Sequence, residues 1–551
     1  MIPMILKRLL FISAIAVSPL AFVRGADLSP NGGRTVIVAP SKIEITAKPG
    51  ETIRREFVVA NQSADNLNLA LRFENLAAPE NPLDGVSLAE DKTPIFPLTP
   101  YLSAGVRSFT LPPNSRVIIP IVIDLPKKIT PGGYYGAAVL SITSIGNGVT
   151  GTHLVTRLTP LLFLRVAGPT VETGALIDFN LIGSHFRFSA APPTFYLTYQ
   201  NTGTVYLNPY GLIKIKNQIT GRKINLPIDP WFVLPGTTRI REVETSRTLA
   251  SGWYQVKLLL NRGYGSSTDQ RVANFIIVTP VVLVLVGLVV LTGLFIIIRR
   301  LIMMKRSGII PLILLMVALA GSTRGAWAAV ASSTNYRLQA DSLNFGGRLS
   351  ASANYSLEDI AGEIGTGNAT STSYASLAGF QQMLSSIIAI TVPTDATLSA
   401  IAGTGASDGS VAWTVTTDDP AGYTLSIKAS SNPALASGGN SFSDYAPSGA
   451  VPDYDWTVAA SASAFGFSPE GADIASRYLN SGSTCGAGAT DTADRCWDGF
   501  STTDRTIAQS STSNTPSGVA TTVKLKAEVG SSKTQTVGSY AAALTVTATP
   551  R

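Results

Sequence analysis

Val36-Ile-Val-Ala-Pro40 runs into Ser41-Lys-Ile-Glu-Ile-Thr46, a Lys48-Pro-Gly-Glu51 turn, and then Ile53-Arg-Arg-Glu-Phe-Val-Val-Ala60, which enters Asn61-Gln-Ser63. Branched and aromatic residues cluster in short runs, and Pro, Gly and Asn punctuate them, which is the text of half-buried strands. The same pattern predicts strands over 66–73, 107–111, 116–124, 134–144 and 154–166, with no helical period between them. Short strands separated by turn residues predict an immunoglobulin-like sandwich over residues 30–167. A second sandwich is expected over 168–274, around Thr194-Phe-Tyr-Leu-Thr-Tyr-Gln-Asn201, Gly211-Leu-Ile-Lys-Ile-Lys-Asn217 and Gly252-Trp-Tyr-Gln-Val-Lys-Leu-Leu-Leu260. The fold class is therefore mainly β.

The bulk composition agrees with an exported chain. Charged residues reach 14% of the 551, against roughly 25% in soluble globular proteins. The net charge of +7 is scattered or sits beside apolar segments, so no basic face argues for nucleic acid. Lys7-Arg8 followed by an apolar stretch to Val23 and small residues at Gly25-Ala26 reads as a signal peptide over 1–25. Residues 275–298 carry no charge. At 1.5 Å per residue they reach about 36 Å, enough for a hydrocarbon core of about 30 Å. Arg299, Arg300, Lys305 and Arg306 follow without an acid. The positive-inside tendency assigns this 299–308 loop to the cytoplasm and residues 26–274 to the outside.

A third apolar segment, 309–328, follows the basic pair Lys305-Arg306 and has a short apolar stretch to Ala320 and Ala326-Trp327-Ala328 at its end. Those are the marks of a second signal peptide inside the chain. Two readings stay open. Either the segment remains as a tilted second span, or cleavage before Ala329 releases residues 329–551. Both put the C-terminal half outside the cell.

Pro49-Gly50-Glu51, Leu125-Pro126 and Pro131-Gly-Gly-Tyr-Tyr-Gly136, with the order signal peptide, sandwich, sandwich, apolar helix, basic tail, resemble the WxL-interacting proteins of bacterial surfaces over residues 30–306. The resemblance implies that the first sandwich binds peptidoglycan and the second contacts a partner or host. The basic tail departs from that family, because a further exported region follows it. Tyr134 and Tyr135 are the candidate binding residues, as paired rings able to stack on sugars. Strand alternation instead favours one ring in the core and the other outside.

Residues 329–385 repeat a tyrosine at 19-residue spacing, Tyr336, Tyr355 and Tyr374, with glycines between. Each unit reads as a strand pair, or as a Ser/Ala/Gly-rich spacer. A further β-domain is expected over 386–551, from Ile388-Ala-Ile-Thr-Val-Pro393 to Ala542-Ala-Leu-Thr-Val-Thr-Ala-Thr549. Val411-Ala-Trp413-Thr-Val-Thr416 and Gly422-Tyr-Thr-Leu-Ser-Ile427 are similar, inexactly, to strands of WxL-type wall-binding domains. That likeness implies that the receptor and its surface partner share one chain. Cys485 and Cys496, the two cysteines, are expected to pair. Asp491, Asp494 and Asp498 lack the spacing of a calcium loop and read as solvated.

Chemistry is sparse. His153 and His185 are the two histidines, and neither stands in a zinc or nucleophile-activating motif. No phosphate-cradling loop occurs, and no cofactor or metal is expected. The expected function is a membrane-anchored surface binding or scaffold protein contacting peptidoglycan or a surface protein. The alternative is a chaperone-like assembly protein whose immunoglobulin-like module donates an edge strand to an exported subunit; a glycan-cleaving enzyme is the third. Contact between the two exported halves is open.

Overall fold

The computed structural model describes residues 34–551 apart from 91, 144–150, 189–191, 246–247, 266, 281, 283, 285–290, 295–345, 352–355, 362–366, 371–374 and 379–385. The leader, the basic cluster Arg299, Arg300, Lys305 and Arg306, the Ala326, Ala328 and Ala329 site, and the three repeat tyrosines lie outside the described residues. Two separate hairpins, Gly346–Ala351 with Ser356–Ala361 and Gly367–Thr370 with Ala375–Ala378, fall within the repeat.

The first sandwich is built from β1 (Arg34–Ala39), β2 (Lys42–Ala47), β3 (Thr52–Asn61), β4 (Leu67–Ala77), β5 (Arg116–Asp124), β6 (Gly132–Thr143), β7 (Gly151–Leu158) and β8 (Leu161–Val166), with shorter strands between. Two prolines decide its edges. Proline has no amide hydrogen to continue a ladder. At Pro40 the chain leaves the sheet where β1 pairs with β3, and β2 then runs parallel to β8 in the facing sheet. At Thr159-Pro160 the strand expected over 154–166 breaks in two. Its first part, β7, covers residues 140–143 of β6, and β8 covers residues 132–137.

The second sandwich packs a three-stranded sheet of β9 (Gly174–Leu181), β11 (Thr194–Asn201) and β14 (Thr238–Glu244) against a five-stranded one. The latter holds β10 (Phe186–Arg187), β12 (Tyr210–Asn217), β13 (Lys223–Ile228), β15 (Gly252–Asn261) and β16 (Thr268–Ile277). Strand β16 corrects one boundary. Phe275 and Ile277 are buried in the sandwich core, so the uncharged run cedes its first three residues to the sheet, and helical residues begin at Pro280. Alternation, and not the absence of charge, decides that stretch. Among the described residues no helix is long and apolar enough to cross a membrane.

The C-terminal domain holds β17 (Ile388–Val392), β18 (Gly405–Thr417), β19 (Tyr423–Ala429), β20 (Ser463–Glu470), β21 (Arg505–Ser510), β22 (Val519–Val529) and β23 (Ala541–Pro550). The Trp413 strand β18 pairs with β17 and β22, whereas the Tyr423 strand β19 lies in the facing sheet beside β21 and β23. Cys485 and Cys496 form a disulfide with Cα atoms 5.7 Å apart. Neither sheet stops at the domain boundary. Strand β17 pairs with β1 of the first sandwich, and β23 pairs with β7. One hydrophobic core consequently runs from Val36, Phe57 and Leu162 through to Trp413, Leu425 and Val546.

Candidate strand-donor interface

Strand β23 is flanked by β19 on one side, antiparallel over seven residue pairs from Tyr423 opposite Pro550 to Ala429 opposite Leu544. On the other side stands β7, which comes from the first sandwich. It lies parallel to β23 over eight pairs, from Gly151 opposite Ala541 to Leu158 opposite Ala548. Without β7, the amides and carbonyls of a strand whose Ala542, Leu544, Val546 and Ala548 are all buried would form a bare, apolar edge. Such an edge recruits other strands and aggregates.

The sequence of β7 suits insertion. Thr152, Leu154, Thr156 and Leu158 are buried, while His153, Val155 and Arg157 point outward, the period-two pattern of a strand with one face in a core. The threonine hydroxyls are satisfied inside the C-terminal domain. Thr152 donates its amide to the Ala396 carbonyl at 2.9 Å, and its Oγ1 accepts the Ala396 amide at 3.0 Å. The indole N–H of Trp413 donates to Thr156 Oγ1 at 3.0 Å. Leu154 gives its amide to the Asp395 carboxylate at 2.9 Å.

Strand β1 supplies the second seam. It pairs antiparallel with β17 over five residues, from Arg34 opposite Val392 to Val38 opposite Ile388. The Ser41 amide donates to the Ser386 carbonyl at 2.7 Å, which extends the seam past Pro40. Both donated strands are the segments that Pro40 and Pro160 cut free from their neighbours.

A charged rim closes the contact. The Glu90 carboxylate meets Lys428 of the C-terminal domain, with Arg157 and Arg72 each at 3.3 Å behind it. Burial alone would raise the Glu90 carboxyl, but the Lys428 ammonium and the two guanidiniums more than reverse this and hold it below its usual range. Thr506 donates to Asp84 at 3.0 Å, and burial raises that carboxyl despite the hydroxyl and Arg551 nearby. The second sandwich joins through Arg241, which donates to the Pro420 carbonyl at 2.8 Å. Burial and the neighbouring Arg551 push the Arg241 guanidinium down to about 10.

The predicted binding pair is placed otherwise. Tyr135 is buried between the sandwiches, its ring edge-on to Phe163 at 5.3 Å, and its hydroxyl accepts the Tyr206 amide at 2.7 Å. It has no face to offer a sugar, because its position on β6 points it into the core shared with Phe232. Tyr134 is half-exposed, packs edge-on against Tyr101 at 5.9 Å and donates to the Thr130 carbonyl at 2.9 Å. Elsewhere, His153 faces Asp395 at 3.6 Å and His185 faces Asn180 at 2.9 Å. Asp498 is buried between Arg477, Arg505 and Tyr478, apart from Asp491, which caps the Gly471 amide. Among the described residues no group of three or more His, Cys, Asp or Glu is placed to hold a metal ion.

No protein-family model matches this chain, and no curated protein matches it. Among solved structures, the E. coli chaperone DraB is similar at 13% identity and a TM-score of 0.23, over 43% of this chain and 95% of that one. The Salmonella enterica SafA pilin in complex with the SafB chaperone gives 12% identity and a TM-score of 0.23, over 43% and 96%. The YadV chaperone gives 10% and 0.24, over 44% and 99%. Likeness this remote leaves the functional reading to the strand pairing itself.

Proposed function

We propose that residues 34–277 are a chaperone-like assembly module and that its client is the β-domain at 388–551 of the same chain. One observation carries the proposal. Strand β7 completes the client's sheet along eight residue pairs and fills its core with Leu154, Leu158 and two hydrogen-bonded threonines. Strand β1 does the same for the facing sheet. Affinity then comes from main-chain ladders and alternate side chains, the mode of strand addition, and needs no cofactor or reaction. A wall-polymer site at Tyr134 and Tyr135 gains no support, since Tyr135 is buried and the half-exposed Tyr134 is engaged by Tyr101 and Thr130.

The uncharged residues after β16 support a reading in which the module stands at the outer face of a bacterial membrane. From Pro280 to Ile298 is nineteen uncharged residues, a length that would reach about 28 Å if helical throughout, against a core of about 30 Å. If the chain is cut before Ala329, module and client become two polypeptides held by strand pairing; if it is not, the client is tethered.

A sequence-specific protease site inserted at 371–374 of the full chain tests this. After cleavage in detergent, the two fragments should co-elute in gel filtration. Leu154→Asp, which drives a carboxylate into the client core, should separate them. Wild-type fragments that elute apart would sink the proposal.

A further inference from the structure

The end of the second sandwich where residues 278–280 follow β16 carries an exposed aromatic row. Phe186 stands opposite Ile276 on one side of β16, and Trp253 stands opposite Ile276 on the other. Residues directly opposite one another share a face. Since Phe275 and Ile277 turn into the core, the Ile276 row turns out of it. Phe186 is 54% exposed, Trp253 52% and Phe188 57%, with the two phenylalanine rings 6.5 Å apart.

The position of this row gives it meaning. The Val278 amide donates to the Arg187 carbonyl at 2.8 Å, so the Phe186–Phe188 segment follows the chain past the end of β16. Ser251 fixes the Trp253 side at the same level: its Oγ accepts the Thr279 amide at 2.9 Å. Helical residues start at Pro280, and on them Val284, Leu291 and Leu294 are also exposed. Three large exposed aromatics therefore lie beside the point where the uncharged residues leave the sheet. Aromatic residues concentrate at the level of lipid headgroups, where an apolar body and a polar tip are both accommodated.

We propose that Phe186, Phe188 and Trp253 seat the second sandwich on the lipid surface, as an interfacial collar around the foot of the helix. The inference rests on the reading that the helix from Pro280 enters a bilayer. It goes further by fixing the sandwich against the membrane, so that the strand-donor face is held at one height and tilt above the lipid.

The test uses the full chain with Trp327→Phe, reconstituted in phosphatidylcholine–phosphatidylglycerol vesicles with or without lipids brominated high on the acyl chain. Trp253 emission is the difference between this protein and its Trp253→Phe variant; the other tryptophans sit within the sandwiches. Brominated lipid should quench that emission, as for a residue in the interfacial layer. Phe186→Ser with Phe188→Ser should weaken the quenching while circular dichroism stays unchanged. A separate Leu291→Trp variant reports on the helix. Quenching at 291 with none at Trp253 would overturn the collar and leave the membrane reading intact. Quenching at neither would overturn both.

Discussion

The indole N–H of Trp413, in the C-terminal domain, donates to the hydroxyl of Thr156, in the first sandwich, across 257 residues of sequence at 3.0 Å. Both residues are buried, so neither group has water to fall back on. Removing one partner leaves the other unsatisfied, a cost of about 1–3 kcal/mol. Thr156→Val and Trp413→Phe should each lower the denaturation midpoint by that order. The double variant should lose less than the sum, because the second change removes the group that the first had orphaned. Additive losses in a guanidinium double-mutant cycle would mean the hydrogen bond does not link the halves.

The pattern of Leu154, Thr156 and Leu158 reads in the sequence as any half-buried strand, and the structure makes it one that starts earlier, at Gly151. What alternation cannot report is whose core the buried face enters. The partner strand, β23, begins at Ala541, and no local signal links the two. Pro160 was the available clue, since a strand through it must lose a ladder bond; residues 154–166 still read as continuous because their hydrophobicity does not lapse. The boundary at Phe275 misled for a related reason: a strand buried at every second residue and the head of an apolar helix are both uncharged. The disulfide was legible because only one pairing of two cysteines exists. Glu90, Asp84 and Arg241, single charges in loops and strands, gave no pattern at all.

Glu90 should make the contact acid-sensitive. Its folded carboxyl lies below the unfolded value of about 4.3, held there, against burial, by Lys428 and then Arg157 and Arg72. A depressed carboxylate contributes its stability in full above the unfolded value and loses it as pH falls through the folded one. Asp84, raised by burial, pulls the other way. Of the cations around Glu90 only Lys428 lies in the other fragment, so association of the cleaved fragments should weaken as pH falls below the free carboxyl value of about 4.3, and Glu90→Gln should flatten that dependence. Identical titrations for the two proteins, followed by fluorescence anisotropy, would contradict the role given to Glu90.

Cys485 and Cys496 are 11 residues apart, and the strand pairings between the halves use none of residues 485–496. Closing so short a loop restricts the unfolded chain and is worth about 3 kcal/mol. Replacing both cysteines by alanine should lower the thermal midpoint of the C-terminal domain yet leave co-elution of the cleaved fragments unchanged. Fragments that part on loss of the disulfide would show that this loop supports the strand-accepting edge.

Gly133 explains itself through Tyr135. A Cβ on Gly133 would lie 1.9 Å from the Tyr135 hydroxyl and 2.6 Å from its Cζ, so the motif keeps glycine there to let the phenol reach the second sandwich. That hydroxyl accepts the Tyr206 amide, and Tyr206 in turn donates to Glu44 at 2.8 Å. Tyr135→Phe should cost about 1–2 kcal/mol by stranding the Tyr206 amide. Gly133→Ala should cost about 1–3 kcal/mol, because the ring must move out of a packed site. In the Tyr135→Phe background the alanine should cost less but not nothing, since the oxygen is gone while the ring carbon remains. Urea midpoints for the four proteins distinguish this from a purely conformational role of Gly133, for which the alanine would cost the same in both backgrounds.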